Sequence, residues 1–466
     1  MTNKDYPSFL QKIVSTQRDD VRIVTAKELE ESGVLFVQDG NHGNNRPRKD
    51  EFVEDGIPFI RPPDLQNGRV IFTDVDQVNE IAFKRIRKGI AQPKDILLTT
   101  NATIGRIALA GTLAPEVFVV NPQITIWRTN EESLLDHRYL YYFMKDRAFM
   151  GQLWSLCGDN STFNYVNLTL QKGMYLAIPP IGRQKTIAHI LGTLDEKIEL
   201  NQKMNQTLEE IAKAIFKSWF VDFDPVRAKA EGRPTGLPPE ISVLFPDELV
   251  DSEIGEIPKG WSQSTFGELA DIQNGYAFKS KDWNEEGTIP VVKIGNVKPM
   301  LVDVDSCSRV DSQTVAGLER FRLSSGDALI GMTGYVGEVG LVPKVNELPY
   351  LNQRVGRLIA QAPSDYSFMV VMTRRKEFKV EVENLGTGSA QANVSASSIK
   401  SIKVVAPSSD LKEKFGEVIN PIIDRILTAA GEIEVLSELR DTLLPKLISG
   451  ELRIPDAEKF LEEVGI

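Results

Sequence analysis

The stretch PKDILLTTNATIGRIAL, residues 93–109, aligns with SGDALIGMTGYVGEVGL, residues 325–341, when the chain is compared with itself at an offset of 232 residues. At the same offset GIPFIRPPDL, residues 56–65, aligns with GTIPVVKIGNV, residues 287–297. One residue earlier, at 231, VNPQITI aligns with LNQRVGRL around Asn121 and Asn352, and at 228 the apolar positions from Ile187 onward align with those from Phe415. Four matches in one order indicate an internal duplication. A duplicated chain predicts an approximate twofold axis, which suits a twofold partner such as duplex DNA.

Length and composition limit the class of protein. A chain of 466 residues is too long for one core and predicts two or more domains. Its 41% hydrophobic and 26% charged residues are typical of a soluble globular protein. The sequence lacks an apolar run of bilayer length, and MTNKDYPSFLQK at its start lacks the apolar core of a signal peptide, so we expect a cytoplasmic protein. Cys157 and Cys307 are interpreted as reduced packing residues.

The net charge of −11 is unevenly distributed. Residues 1–180 have a net charge of −1 and residues 261–407 a net charge of zero, whereas residues 221–260 contribute −5 and residues 408–466 contribute −6. DNA-binding domains are usually more basic than this. The distribution argues against strong unaided DNA binding and leaves DNA binding within a larger assembly open.

Two types of sequence pattern, one β-rich and one helical, alternate along the chain. Short β-rich segments with Gly, Asn and Asp between them predict two mixed α/β domains, and each is followed by a long helical pattern. A connector rich in Pro and Gly separates the halves. The predicted boundaries are an α/β domain at 1–178, a helical segment at 179–222, the connector at 223–260, an α/β domain at 261–405, a helical segment at 406–450 and a tail at 451–466.

The helical patterns run from Ile181 to Phe220 and from Asp410 to Ser449, with apolar residues on one face. Forty helical residues would extend about 60 Å, so we expect the two helices to pair antiparallel as a coiled-coil-like rod joining the repeated domains with pseudo-twofold symmetry. The alternative is that each helix only covers its own domain. Gly192, Pro421 and Pro445 are expected to kink or interrupt the helices.

The order of these segments resembles the specificity subunit of type I restriction–modification systems over essentially the whole chain. Four motifs carry the resemblance: IPPIGRQKTIAHILGTLDEKIELNQ (178–202), SWFVDFDPVRAKAEGR (218–233), LFPDELVDSEIGEIPKGW (244–261) and LRDTLLPKLISGELRI (439–454). The IPKGW that opens the second half has no counterpart in MTNKDYPSFLQKIVS, which leaves the start of the first domain less defined.

The resemblance implies that the α/β domains are target-recognition domains and that the helical segments are conserved spacers. It implies a subunit without catalytic activity that recognises a bipartite DNA site. Its implied partners are double-stranded DNA, two adenine-methylating (M) subunits and ATP-driven restriction and translocase (R) subunits. S-adenosylmethionine, ATP and magnesium are then expected on the partner subunits, with no cofactor in this chain.

The residues themselves agree with a non-catalytic role. The sequence has no glycine-rich phosphate loop ending in Lys-Ser/Thr. Its nearest approach to an Asn/Asp-Pro-Pro-aromatic methylation loop is Asn121-Pro122-Gln123-Ile124, which lacks the second proline and the aromatic and is interpreted as a turn leading into a strand. His42, His137 and His189 offer little for a histidine base or a metal cluster. We therefore predict no catalytic and no metal-binding residues.

Candidate DNA-contacting residues are the Arg, Lys, Asn, Gln, Thr and Tyr side chains whose groups match base edges or phosphates. They are Arg61, Lys84, Arg85, Arg87, Lys88, Asn101, Arg106, Asn121, Gln123, Lys293, Thr333, Tyr335, Asn352, Gln353, Arg354, Arg374, Arg375 and Lys376. The loops after Asp95 and Asp327 match between the halves, which fits either DNA contact or maintenance of the fold. Segments that differ between the halves, 41–50 and 279–286, are equally candidates.

Two other classes remain open. A duplicated scaffold that binds protein or carbohydrate predicts no DNA binding even with a methyltransferase present. A duplicated enzyme predicts a pocket with several convergent titratable groups, and the sequence contains no motif for one.

Overall fold

The computed structural model of the chain describes residues 20–41, 43–157, 165–253, 255–386 and 393–463. The beginning of the chain, with MTNKDYPSFLQK, and His42 lie outside the described residues. The described residues form two units: one contains those up to Lys197 and from Leu436 onward, and the other contains Ile198–Val435.

Short strands build the first unit. They are β1 (Arg22–Thr25), β2 (Leu35–Asp39), β3 (Phe52–Val53), β4 (Ile57–Ile60), β5 (Leu65–Gln66), β6 (Arg69–Val70), β7 (Gln77–Val78), β8 (Ile90–Ala91), β9 (Ile96–Thr99), β10 (Ile107–Leu109), β11 (Phe118–Val120), β12 (Ile124–Thr129) and β13 (Tyr175–Ile178). They form sheets in the orders β2-β12-β9-β10-β6-β5, β3-β7-β4-β11-β8 and β1-β13. Strands β9 and β11 are buried along their whole length, which explains their continuous apolar sequences.

Helices of the first unit cover these sheets. They are α1 (Ala26–Glu31), α2 (Glu80–Arg85), α3 (His137–Lys145), α4 (Arg147–Ser155) and α5 (Leu168–Lys172), followed by the long helix α6 (Ile181–Phe220). Asp136 and Asp146 accept hydrogen bonds from the first-turn N–H groups of α3 and α4, which fixes where these helices begin. The fully buried Trp127 of β12 packs edge-to-face on Phe149 of α4.

The second unit contains the part of α6 from Ile198 onward, the connector, and the second half as far as Val435. The connector contains α7 (Asp224–Ala230), α8 (Pro239–Ser242), β14 (Leu249–Ser252) and β15 (Gly255–Pro258). The second half contains β16 (Ser262–Thr265), α9 (Phe266–Leu269), β17 (Ala270–Asn274), β18 (Ile289–Val292), β19 (Met300–Leu301), β20 (Ser308–Val310), β21 (Ala328–Gly331), β22 (Val339–Leu341), β23 (Tyr350–Leu351), β24 (Val355–Ala360), α10 (Asp365–Thr373), α11 (Lys376–Leu385), α12 (Ala396–Lys400) and β25 (Lys403–Ala406). The long helix α13 (Ser409–Ser449) and α14 (Ile454–Glu463) follow, and their residues from Leu436 onward belong to the first unit.

Sheet order repeats between the halves. The order β2-β12-β9-β10 of the first unit corresponds to β17-β24-β21-β22 of the second, and β7-β4-β11 corresponds to β20-β18-β23. In each half the last two strands of the smaller set, β4 with β11 and β18 with β23, are parallel. Each half closes with an antiparallel pair, β1-β13 or β16-β25. The predicted fold class, two repeated α/β domains with two long helices, is confirmed.

The long helices have nearly the predicted bounds, since α6 coincides with its pattern and α13 begins one residue earlier. Gly192, Pro421 and Pro445 all lie within continuous helix, so none of them interrupts it. In the second unit the helices run antiparallel, because Asn201 and Asn205 of α6 contact Glu432 and Ile426 of α13.

The end of α6 lies in the core of the second unit. Trp219 is 5% exposed and packs edge-to-face on Phe245 of the connector and Phe415 of α13. Trp219 is therefore a core residue of the second unit. Within the described ranges, no helix is both long and apolar enough to cross a bilayer.

Candidate nucleic-acid interface

A groove of about 600 Å³ opens on the first unit, and we name it groove 1. The end of β4, the loops after β2 and β9, and the turn before β12 form its walls. Its lining residues are Asn41, Arg46, Pro47, Phe52, Phe59, Asn101, Asn121, Pro122, Gln123 and Tyr165. Amide side chains predominate among its polar groups, and none of these described lining residues is acidic.

A second groove of about 460 Å³, groove 2, lies on the second unit. It is formed by the end of β17, the loop after β21, the turn before β24 and the segment before α12. Its lining residues are Asn274, Met332, Thr333, Gln353, Arg354, Asn393 and Val394. Here too the described lining lacks carboxylates, and it includes a guanidinium.

The same backbone contacts build one wall of both grooves. Asn101 forms an isolated antiparallel bridge with Tyr165, and Thr333 forms one with Asn393. The neighbouring N–H of Val166 donates to the Thr100 carbonyl at 3.1 Å, as the N–H of Val394 donates to the Met332 carbonyl at 3.0 Å. Groove 1 and groove 2 are therefore the same site in the two repeats.

The turns before β12 and β24 are also held alike. The Asn121 N–H donates to the Ile60 carbonyl at 2.9 Å, and the Asn352 N–H donates to the Val292 carbonyl at 3.2 Å. A Cβ atom added at Gly40 would lie 2.1 Å from the Asn121 carbonyl oxygen. A Cβ atom added at Gly275, the equivalent position in the second unit, would lie 2.3 Å from the Asn352 carbonyl oxygen. Only glycine permits this close approach, which fixes each turn against the groove.

Six of the eighteen predicted DNA-contacting residues line the grooves. Asn101, Asn121 and Gln123 lie together in groove 1, and Thr333, Gln353 and Arg354 lie together in groove 2. Asn121 Oδ1 accepts a hydrogen bond from the Gln123 N–H at 2.7 Å, so this side chain also stabilises the turn. The interpretation of residues 121–124 as a turn leading into a strand is confirmed, because β12 begins at Ile124.

Arg61 and Lys293 occupy equivalent positions just outside the grooves. The Arg61 guanidinium lies over Phe52 and Phe59, 5.6 and 5.7 Å from the ring centroids, and pairs with Asp76. Lys293 Nζ lies 3.5 Å from the centroid of the Trp283 ring and donates to Ser308 Oγ at 2.8 Å. Burial lowers the pKa of Lys293. Both cations are thus held by aromatic rings and a polar partner.

The basic cluster on and after α2 divides into paired and exposed side chains. Arg85 forms a bidentate pair with Glu51, at 2.7 and 2.5 Å, and this pair lowers the pKa of Glu51 to about 2. Lys84 forms an exposed pair with Glu80 at 3.0 Å, whereas Arg87 and Lys88 are exposed.

Several other predicted residues lie away from the groove linings. Arg106 Nη1 donates to the Pro62 carbonyl at 3.3 Å, Tyr335 is 68% exposed, and Asn352 is half-buried in its turn.

The run from Arg374 to Lys376 lies between α10 and α11. The Arg374 side chain is 4% exposed and lies 2.6 Å from Glu209 of α6. Arg375 stacks over Phe216 at 5.4 Å and pairs with Glu377 at 3.1 Å, while Lys376 is exposed. Two of these three cations therefore contact the body of the second unit.

The matched loops after Asp95 and Asp327 have a structural explanation. The carboxylate of Asp95 accepts from the Gln92 N–H at 2.8 Å, and that of Asp327 accepts from the Ser324 N–H at 2.7 Å. Each also pairs with an arginine of the adjacent strand, Arg128 at 2.6 Å and Arg357 at 3.3 Å. These contacts hold the turns before β9 and β21, which supports maintenance of the fold for the matched aspartates; the loops after β9 and β21 contribute Asn101 and Thr333 to the grooves.

Sequence reasoning missed some groove residues, notably Tyr165, Asn393, Asn274 and Arg46. A signal for two of them existed at the offset of 228 residues, where Tyr165-Val166-Asn167 aligns with Asn393-Val394-Ser395. Asn167 and Ser395 each cap the short helix that follows. Arg46 lies in the segment 41–50, which was a candidate because it differs between the halves.

The groove linings offer chemistry for binding. Amides, a phenol or hydroxyl, and a guanidinium are the groups that form paired hydrogen bonds with base edges. In the described portion of the chain, no group of three or more His, Cys, Asp or Glu side chains is placed to hold a metal ion.

Comparisons with known proteins match this chain to type I restriction specificity proteins. The family described as the type I restriction modification DNA specificity domain matches residues 33–210 and 258–438. The type I restriction enzyme HindI specificity subunit of Haemophilus influenzae is 25% identical over 459 residues, covering 89% of this chain and 98% of that protein. The MjaIX specificity subunit of Methanocaldococcus jannaschii is 27% identical over 418 residues, covering 87% and 89%.

A solved structure supports the same fold. The S subunit of a type I restriction–modification system from M. genitalium superimposes with a TM-score of 0.53 at 16% identity. The match covers 94% of this chain and 98% of that one. At this identity the likeness concerns the fold alone.

Proposed function

Since the chain belongs to the type I restriction–modification DNA specificity family, we propose that it recognises a bipartite DNA site, one half through each groove. The observation that carries the proposal is that groove 1 and groove 2 are the same site built twice with different side chains. Equivalent sites suit two half-sites of one duplex, and different side chains suit half-sites of different sequence.

The described groove linings are suited to a polyanionic ligand, although the whole chain has a net charge of −11. The recognition halves are close to neutral, and the described groove linings contain Arg46 and Arg354 without a carboxylate. Exposed Arg87 and Lys88 could contact phosphates, which position a protein on DNA without specifying bases. A small basic surface on an acidic chain favours DNA binding in a complex whose partners supply further phosphate contacts.

The long helices support the scaffolding part of the proposal. We expect α6 and α13 to set the length of an unrecognised spacer between the half-sites. We expect the same helical segments to carry two M subunits, which in turn bind the R subunits. Catalysis, with S-adenosylmethionine, ATP and magnesium, then resides on the partners, and this chain contributes DNA recognition.

The test is to coexpress the chain with the methyltransferase encoded beside it, in a host without such systems, and to map adenine methylation across the genome. A split motif with a modified adenine in each half supports the proposal. Changing an exposed residue that lines neither groove, Lys27→Ala, should leave the motif intact and serves as a control.

Two other outcomes would contradict the proposal. The acidic net charge favours the alternative of a duplicated scaffold without DNA binding, which predicts no methylation and no DNA binding by the purified complex. A methylated motif that is continuous instead of split would contradict the assignment of one half-site to each groove.

A further inference from the structure

Gln123 and Arg354 occupy the same backbone position in the two repeats. The Gln123 carbonyl accepts from the Thr100 N–H at 2.8 Å, and the Arg354 carbonyl accepts from the Met332 N–H at 3.3 Å. Each is the last residue before the inner strand β12 or β24. Their side chains therefore start from equivalent points in groove 1 and groove 2.

The two side chains differ in the chemistry they present. Gln123 has an amide, with one acceptor and two donors on one plane, beside the amides of Asn101 and Asn121. Arg354 is exposed in groove 2, and within the described ranges its guanidinium has no hydrogen bond or ion pair. This arginine contrasts with Arg85 and Arg374, whose guanidinium groups are paired with Glu51 and Glu209.

The surrounding contacts hold the backbone and leave the side-chain ends available. The glycine contacts of Gly40 and Gly275 and the bonds from Asn121 and Asn352 fix each turn. A rigid turn with an unpaired polar side chain is the arrangement that base recognition requires, because little ordering is needed on binding.

We propose that Gln123 and Arg354 are the equivalent base-contacting residues that make the two half-sites different. The amide of Gln123 matches N6 and N7 of adenine, and the guanidinium fork of Arg354 matches O6 and N7 of guanine. The half-site of the first unit then contains an A·T pair at the position where that of the second unit contains a G·C pair. This inference rests on the proposed function and names the specificity within it.

The test exchanges the two residues in the full complex with the methyltransferase. Arg354→Gln should replace one G·C pair by A·T in one half of the methylated motif, leaving the other half unchanged. Gln123→Arg should replace one A·T pair by G·C in the opposite half. Because a bidentate base contact discriminates by roughly 5- to 150-fold, the change should be evident as a switched preference at one position.

Each variant also binds a DNA library randomised in both halves, so that a complex with weak methylation still yields a base preference. Arg354→Lys keeps the charge without the planar fork, and should weaken the guanine preference while retaining the motif elsewhere. Arg322→Gln changes another exposed arginine of the second unit that does not line groove 2, and should leave the motif as in the unmodified chain. Thermal unfolding confirms that each variant is folded.

An unchanged base at every position in the Arg354→Gln library would overturn the inference, as would a loss of preference spread over several positions. Failure of the proposed function is a separate result, since the unmodified complex would then yield no split motif. A split motif in the unmodified complex with no response to either exchange removes Gln123 and Arg354 and leaves bipartite recognition standing.

Discussion

The Glu51–Arg85 pair joins the segment before β3 to α2, with the Glu51 side chain 9% exposed. The Arg85 guanidinium and the Arg48 N–H hold the pKa of Glu51 at about 2, below its ordinary value of 4.5. A depressed carboxyl pKa contributes stability that is fully present above the ordinary value and is lost as the pH falls through the folded value. We expect this contribution to disappear between pH 4.5 and about 2.

The measurement is the urea midpoint of unfolding as a function of pH. Glu51→Gln should be less stable than the unmodified chain at pH 7, and the two curves should converge towards pH 2. Glu80→Gln breaks the exposed pair with Lys84 and should follow the unmodified chain, because exposed pairs contribute little. Curves for Glu51→Gln and the unmodified chain that stay parallel down to pH 2 would contradict the assignment.

Arg374 and Glu209 form a buried pair in the second unit, 2.6 Å apart with side chains 4% and 11% exposed. Removing one partner leaves a buried, unpaired charge, so Arg374→Ala should lower the free energy of unfolding by about 3–5 kcal/mol. The exposed neighbour in Lys376→Ala should change it by less than about 0.5 kcal/mol. A small loss in chemical denaturation for Arg374→Ala would show that the pair is dispensable.

At the residue scale, sequence reasoning selects residue types and the fold selects among them. Arg85, Arg354 and Arg374 are equally plausible DNA contacts by composition. The structure pairs two of them with acids that are distant in sequence, 34 residues away for Glu51 and far along α6 for Glu209. Such long-range pairs have no local pattern, so an alignment of the two repeats could not reveal them.

At the scale of elements, Gly192 lies within α6 where the helix passes Arg138 of α3. A Cβ atom there would lie 1.9 Å from Arg138 Nη2, which pairs with Glu196 at 2.8 Å. In an Arg138→Ala background, Gly192→Ala should stabilise the helix by up to about 1 kcal/mol, because alanine is the better helix former. In the unmodified background the gain should be smaller, since the guanidinium must move.

A double-mutant cycle measured by thermal or urea unfolding gives this coupling. Gly416→Ala in α13 is the matched control, because its nearest neighbour would lie at 3.5 Å and the change should not couple to Arg138. Equal effects of Gly192→Ala in both backgrounds would exclude the close approach of Arg138 as the reason for glycine.

Helical elements were the most predictable part of the fold. A 40-residue apolar stripe gives the bounds of α6, and its repeat gives those of α13 to within one residue. Of the expected kinks or interruptions, the interruptions were wrong, because a continuous packed face outweighs the loss of one hydrogen bond at each proline. The short strands β3 to β8 were harder, since two- to four-residue strands leave almost no periodicity.

At the scale of the whole molecule, the hypothesis that the long helices set the length of the DNA spacer makes a quantitative prediction. Inserting or deleting whole turns, about 3.6 residues each, in the segment Ile181–Phe220 should lengthen or shorten the unrecognised DNA spacer without changing either half-site. Mapping the methylated motif of each variant measures this directly. Insertion of the same number of residues into the loop at Arg233–Leu237 is the control and should leave the spacer unchanged. A DNA spacer of the same length in all the helix variants would contradict this hypothesis.

Exchanging only the first recognition domain should change only one half of the motif. The repeat predicted two α/β domains, and the matching strand orders of the two halves agree with it. What the repeat could not predict is which polar side chains share a groove, because Asn101 and Tyr165, which form a bridge, lie 64 positions apart in the sequence.

The first unit consists of two stretches of sequence that flank the second unit along the chain, since residues from Leu436 onward belong with those up to Lys197. A ribosome therefore completes every residue of Ile198–Val435 before it reaches the last part of the first unit. During synthesis the second unit can close while the first still lacks the Asp195–Arg440 pair, 2.8 Å long in the finished chain. A translation pause near codon 436 would then expose the incomplete first unit to chaperones and proteases. In pulse-labelled nascent chains, the second unit should become protease-resistant before the first unit.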